Sequence, residues 1–158
     1  MFQYLFTGLN WVGLVKGFKK AVLSGPEWKD AHTGAKVVTI DVRAARDLIQ
    51  TGSIYLDVRT VEEFSKGYVD AVNIVNIPYM LNTPKGKVMN PDFVKEVSLA
   101  CNKEDHIIVG CQIGGRSFYA TAALLSDGFK NVKDMGGGYE EWVINKFPVK
   151  IPAAKEEL

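Results

Sequence analysis

The run Cys111-Gln112-Ile113-Gly114-Gly115-Arg116-Ser117 concentrates the residue types in this chain that can do chemistry. It follows an apolar stretch, His106-Ile107-Ile108-Val109-Gly110, and leads into a helix-like one, Ser117 to Leu125. A cysteine at a strand end, then a short glycine-containing loop closing on an arginine and a helix start, makes a cradle for an anion. Loop N–H groups can turn inward, and the helix N-terminus adds the positive end of its dipole. Such surroundings favour the thiolate, which is the nucleophile of cysteine chemistry. A lone cysteine ending a core strand is more often an inert packing residue. The Gly114-Gly115-Arg116 that follows argues against that here, since an ordinary turn needs neither the arginine nor the helix start.

Arg116 stands five positions after Cys111, so the two bracket four residues. This C-x4-R loop resembles that of rhodanese-type sulfurtransferases. Their phosphatase relatives use C-x5-R, a ring one residue larger that holds a tetrahedral phosphate, whereas the smaller ring suits one extra sulfur on the cysteine. The resemblance extends along the chain. Tyr55-Leu56-Asp57-Val58-Arg59-Thr60, with Glu62-Glu63-Phe64 and Gly67, is similar to the first signature of a rhodanese domain. Asn76-Ile77-Pro78-Tyr79-Met80, Asn90-Pro91-Asp92-Phe93, the Cys111 loop, and Gly136-Gly137-Gly138-Tyr139 with Trp142 continue the series in the family's order, from about Val37 to Val149. The loop pattern C-Q-x-G-x-R-S resembles most the small single-domain plant sulfurtransferases, including senescence-associated ones. Two positions depart from the family pattern. Tyr68 stands where a histidine usually follows the glycine, a position read as structural. Gln112 and Ile113 carry no charge, where members favouring thiosulfate often have basic residues.

The resemblance implies an α/β, rhodanese-like fold, with a mostly parallel central sheet and helices on both faces. It implies transfer of a sulfane sulfur from thiosulfate or a related donor, through a persulfide on Cys111, to cyanide or a thiol acceptor, thioredoxin and glutathione among the candidate acceptors. No metal or organic cofactor is implied, because sulfur serves as both electrophile and leaving group. Gln112, Ile113, Gly114, Gly115, Arg116 and Ser117 then surround the transferred sulfur, largely through backbone N–H groups. Arg116 either binds an anionic donor or braces the loop through an internal carboxylate, and Ser117 reads as a helix-start hydroxyl. Asp57 and Arg59, on one face by strand alternation, are supporting residues. Arg59 and Glu63, four apart, are expected to pair as a brace. The alternatives are a glutathione-dependent arsenate reductase, a role of some similar plant proteins, and a non-enzymatic binding or regulatory module. Fold alone does not choose among them.

Composition sets bounds on these readings. At 158 residues the chain suits one domain with a single core. A formal charge of +1 without charge runs argues against nucleic acid as a partner. The two cysteines, Cys101 and Cys111, form no disulfide framework and show no zinc-ligand spacing. Cys101 reads as a packing residue and His106 as an edge residue. A reducing, cytoplasmic setting suits a thiolate that must stay free. A mitochondrion or plastid is the alternative if the N-terminal segment is a targeting peptide.

The elements that must position the loop follow from periodicity and capping. Residues 1–35 read as an extension and linker, 36–150 as the domain, and 151–158 as a tail. Within 1–25 an apolar stripe (Leu5, Leu9, Val12, Val15, Phe18, Val22) is interrupted by glycines. A disordered arm or a helix packed on the domain is preferred there to a surface-lying membrane helix. Val37 to Ile40 reads as a strand, and Asp41 caps a helix that Thr51-Gly52 stops. Ile54 to Leu56 is the next strand, and Thr60 with Glu63 forms a capping box. Another strand falls within Ala71 to Ile77, and Asn82 to Asn90 reads as a loop. Asn90 and Pro91 start a helix reaching about Ala100. Ile107 to Val109 is the strand feeding the Cys111 loop, Gly128 caps the following helix, and Val132 to Met135 is the final strand. Tyr139 and Trp142 read as core. Strands alternating with helices put ligands beyond the carboxyl ends of the strands, where Cys111 falls.

Overall fold

The computed structural model describes residues 36–153; the readings made for the N-terminal extension and for the last residues of the tail lie outside them. The central layer is a five-stranded sheet in the order β1-β8-β7-β2-β4, from Thr39–Ile40 (β1), Asn131–Met135 (β8), His106–Gly110 (β7), Ile54–Asp57 (β2) and Ile74–Asn76 (β4). Every pairing in it is parallel. A parallel sheet is covered on both faces, so its strands are apolar on both. The side chains alternate accordingly. Leu56, Ile107, Val109 and Val132 point to one core with Phe93 and Val97 of α3 (Phe93–Ala100) and Ala120 and Leu124 of α4 (Gly115–Ser126). Tyr55, Ile108 and Met135 point to the other, with Val42, Ala45 and Ile49 of α1 (Val42–Gln50) and Trp142 of α5 (Gly138–Ile144). This is the α/β architecture expected, with helices on both faces.

Local signals fall where the sequence puts them. Asp41 accepts a hydrogen bond from the Ala44 N–H at 2.8 Å and so caps α1, which ends at Thr51. Thr60 and Glu63 form a complete capping box at the start of α2 (Val61–Ser65). Trp142 is buried, His106 is exposed, and Cys101 is buried in the α3-side core.

Several boundaries differ from expectation, the first strand among them, which covers Thr39–Ile40 rather than Val37 to Ile40. Asn82 to Asn90 is a hairpin rather than a loop, Met80–Thr83 (β5) pairing antiparallel with Gly86–Met89 (β6). Helix α3 begins at Phe93, because Asn90 closes a turn on the Asp92 N–H instead of capping a helix. Helix α4, by contrast, ends at Gly128 as expected: with φ +94° it follows the cap residue Asp127, its N–H donating to the Leu125 carbonyl and that of Phe129 to the Leu124 carbonyl. Strand β8 is not the last: Val149–Lys150 (β9) pairs antiparallel with Tyr68–Val69 (β3). Tyr68 itself stacks on Phe64 with ring centroids 4.3 Å apart, a packing role. Among the described residues no helix is long and apolar enough to cross a membrane.

Candidate active site

Cys111 lies immediately beyond β7, the middle strand, at the carboxyl edge of the sheet. It is only 1% exposed and forms the floor of its loop, while Ile113 stands outward at the crest. The Gly114 N–H donates to Sγ at 3.1 Å. Gly114 reaches this position with φ +114°, a left-handed conformation suited to glycine, and is also the N-cap of α4. Ser117, one turn into α4 and fully buried, places Oγ 3.4 Å from Sγ. The two contacts come from the loop and from the helix that closes it.

The outer wall of the loop is tied to α5. The Tyr139 N–H donates to the Cys111 carbonyl at 2.8 Å and the Glu140 N–H to the Gln112 carbonyl at 3.0 Å. Free N–H groups of a helix's first turn need such acceptors, and here they hold the loop backbone. Gly138 permits the approach: it has φ +63°, and a β-carbon there would sit 2.6 Å from both carbonyl oxygens. Gly138→Ala is therefore expected to cost about 2 kcal/mol or more from left-handed strain and backbone overlap together. Urea unfolding measures it. A loss below half that value would show that the loop and α5 separate freely.

Arg59 braces the inner wall. Its guanidinium forms a buried ion pair with Asp57, Nη2 to Oδ2 at 2.8 Å, with Nε 3.1 Å from both carboxylate oxygens. Nη2 also donates to the Gly67 carbonyl, and Nη1 to Gln112 Oε1 at 3.3 Å. The Tyr139 ring lies 4.2 Å from Cζ, adding a cation–π contact. Asn76 holds the Asp57–Arg59 turn in place, its amide donating to both carbonyls. The expected Arg59–Glu63 pair is not formed, because the bend after β2 folds Arg59 back onto Asp57.

Glu63 instead takes Arg116. Both guanidinium nitrogens reach the carboxylate at 2.8 Å, a bidentate pair joining the end of the Cys111 loop to α2. Of the two roles open to Arg116, the structure supplies the internal carboxylate of the brace. Arg116 holds the Glu63 carboxyl down at about 2, burial opposing it and Thr60 assisting. A depressed carboxyl stabilises the fold fully above its unfolded value near 4.5 and loses that contribution as pH falls toward 2. Glu63→Gln should cost about 1–2 kcal/mol at neutral pH, after discount for partial solvent screening. The gap between wild type and variant should close as unfolding is repeated toward pH 2. An equal gap at both pH values would remove the ion pair as its cause.

Two polar groups near the loop were not singled out from sequence. Asp134 of β8 is 2% exposed, accepts from Ser117 Oγ at 2.6 Å through Oδ1, and accepts from Thr39 Oγ1 at 2.8 Å through Oδ2. Burial pushes its carboxyl pKa up against the lowering effect of those two hydroxyls. A signal for it existed: Asp134 shares a face with the core residue Val132, and a carboxylate on a buried strand face requires partners. The other is Tyr55 Oη, buried with no hydrogen-bond partner among the described residues. The phenol fills the space that a side chain at Gly110 would occupy, and burial, ahead of the Asp57 charge, pushes its pKa up.

Chemically, the arrangement is a buried thiol under a short ring of backbone, with the Gly114 N–H donating to sulfur and the thiol donating to the Ser117 hydroxyl oxygen. Comparison with known proteins identifies the family. The family model for the rhodanese-like domain matches residues 27–145. Rhodanese-like domain-containing protein 17 of Arabidopsis thaliana is 55% identical over 126 residues, covering 80% of this chain and 81% of the relative. Thiosulfate sulfurtransferase 18 of the same plant is 52% identical over 114 residues, covering 72% and 84%. Among solved structures, the polysulfide-sulfur transferase homodimer of Wolinella succinogenes superposes with a TM-score of 0.63 at 19% identity, over 90% of this chain and 93% of that one, a likeness of fold.

Proposed function

The chain belongs to the rhodanese-like family, and from that premise we propose that it is a sulfurtransferase working through a persulfide on Cys111. In the first half-reaction the Cys111 thiolate attacks the outer sulfur of thiosulfate. The Cys–S bond forms, the S–S bond of the donor breaks, and its electron pair leaves with sulfite. In the second, an acceptor thiolate or cyanide attacks the outer persulfide sulfur, and Cys111 departs as thiolate. The sulfur moves from one nucleophile to the next at the sulfane oxidation level, so no redox partner is required.

The observation that carries this reading is the Gly114 N–H aimed at Sγ at 3.1 Å from within a four-residue ring. A donor so placed stabilises the Sγ thiolate that opens the first half-reaction and the charge that returns to Sγ as Cys111 departs in the second. The ring is held from three sides, by α5, by Arg59 and by the Arg116–Glu63 pair. Because Arg116 is neutralised by Glu63, charge on the donor is met by backbone N–H groups. The name of the 52% identical plant relative supports thiosulfate as the donor.

Incubation with thiosulfate followed by intact mass measurement should show one added sulfur, lost on treatment with cyanide or a thiol. Steady-state rates with thiosulfate, mercaptopyruvate and arsenate then rank the donors against the oxyanion alternative. Turnover of arsenate by a protein that never gains sulfur would replace the proposal with arsenate reduction.

A further inference from the structure

We propose that Asp134 is a positioning residue that takes the Cys111 proton through Ser117, so that the thiolate is made inside the protein rather than by loss of the proton to water. The chain of contacts is continuous: Sγ to Ser117 Oγ at 3.4 Å, Oγ to Asp134 Oδ1 at 2.6 Å, and Asp134 Oδ2 to Thr39 Oγ1 at 2.8 Å. Ser117 and Asp134 are both buried, so no bulk water takes part.

The hydrogen count makes the case. Ser117 carries one hydroxyl hydrogen and two lone pairs. With a neutral thiol, S–H donates to Oγ and the hydroxyl donates to Asp134, the Gly114 carbonyl at 3.1 Å being its other acceptor. With a thiolate, the hydroxyl must turn toward sulfur, and an ionised Asp134 would then face Oγ at 2.6 Å with no hydrogen between them. A proton on Oδ1 removes that conflict. In the transfer the S–H bond breaks, its proton joins Oγ, and the original hydroxyl proton passes to Oδ1. One proton and one negative charge change places between the carboxylate and sulfur, and nothing is oxidised or reduced. Burial of Asp134, which raises its proton affinity, makes it a competent recipient.

The groups acting on Asp134 are neutral, Thr39 from β1 and Ser117 from α4. The titratable groups that a Cys111 charge acts on are Arg116 of α4 and Tyr55 of β2, the latter kept an uncharged phenol by burial. The Arg59–Asp57 pair stands behind Gln112. None of these lies between sulfur and the carboxylate along the hydrogen-bonded chain.

The proposal rests on Cys111 being the working thiol, but its test uses no sulfur donor, so it stands or falls apart from the sulfurtransferase reading. Thiolate absorbance in the ultraviolet is titrated as the difference between wild type and Cys111→Ser. Two groups sharing one proton titrate as a pair, so the wild type should rise in two steps, with a shoulder carrying at least about a tenth of the full signal. Asp134→Asn keeps the shape but cannot take the proton, and should give one step at higher pH. Ser117→Ala should do the same, with no further shift in the double variant. A single-step wild type, or an Asp134→Asn profile matching wild type, overturns the relay. Should Asp134→Asn fail to fold, infrared difference spectra decide: at the shoulder pH the wild type should show a carboxylic-acid C=O band that Cys111→Ser lacks. The same band in both, or in neither, rejects the relay.

Discussion

Cys111→Ser is expected to abolish persulfide formation and to lower sulfur transfer by about 10³-fold or more, the scale of removing a nucleophile outright. A serine hydroxyl has no neighbour here strong enough to ionise it, and an oxygen cannot carry the transferred sulfur as a persulfide. The other cysteine offers no substitute. Cys101 belongs to the α3-side core, and burial, ahead of the Asp105 charge, pushes its thiol pKa up. Cys101→Ser should therefore keep most of the activity. Intact mass after thiosulfate reads the result directly: one sulfur on wild type and on Cys101→Ser, none on Cys111→Ser. Sulfur retained by the Cys111 variant would end the assignment of the nucleophile and, with it, the proposed function.

Arg59→Met should destabilise the protein by about 3–5 kcal/mol, the cost of leaving one member of a buried ion pair without its partner. Asp57 is fully buried and takes three guanidinium hydrogen bonds, so its carboxylate would keep only the backbone N–H of residue 59 and lose its counter-charge. The Gly67 carbonyl and the Gln112 side chain lose a donor in the same step. The midpoint of urea unfolding measures the loss. Pairing Arg59→Met with Asp57→Leu should recover part of it, because removal of both charges leaves no orphan. A single variant within 1 kcal/mol of wild type would show that the pair is not what holds the first loop residue. The same variant should also slow sulfur transfer, since Gln112 loses its tether to the inner wall.

The difference between the pairing expected of Arg59 and the one found illustrates how far a linear reading reaches. Four residues apart suggested Arg59 with Glu63. The chain bends between them instead: Asp57 ends β2, Thr60 caps α2, and Arg59 sits in the turn. Once Arg59 folds back, Glu63 is free to reach Arg116, 53 residues further along. The missed hairpin has another cause. Only Met80, Leu81, Val88 and Met89 are apolar in β5 and β6, and the polar Thr83-Pro84-Lys85-Gly86 turn dominates the composition of the segment.

What the sequence determined by itself is therefore local: the Asp41 cap, the Thr60–Glu63 box, the apolar strand ending at Cys111, and through five ordered motifs the fold itself. These depend on interactions within a few residues, or on a pattern long enough to identify a family. What only the tertiary structure decided is who meets whom across the sheet. Asp134 reaches Ser117 because β8 lies beside β7 and α4 descends over both. Arg116 finds Glu63 because the loop after β7 opens beside the helix after β2, and α5 supplies donors to the loop because its first turn packs under it. Strand order sets each of these meetings, and it is fixed by burial of both faces of a parallel sheet, a property of the whole chain.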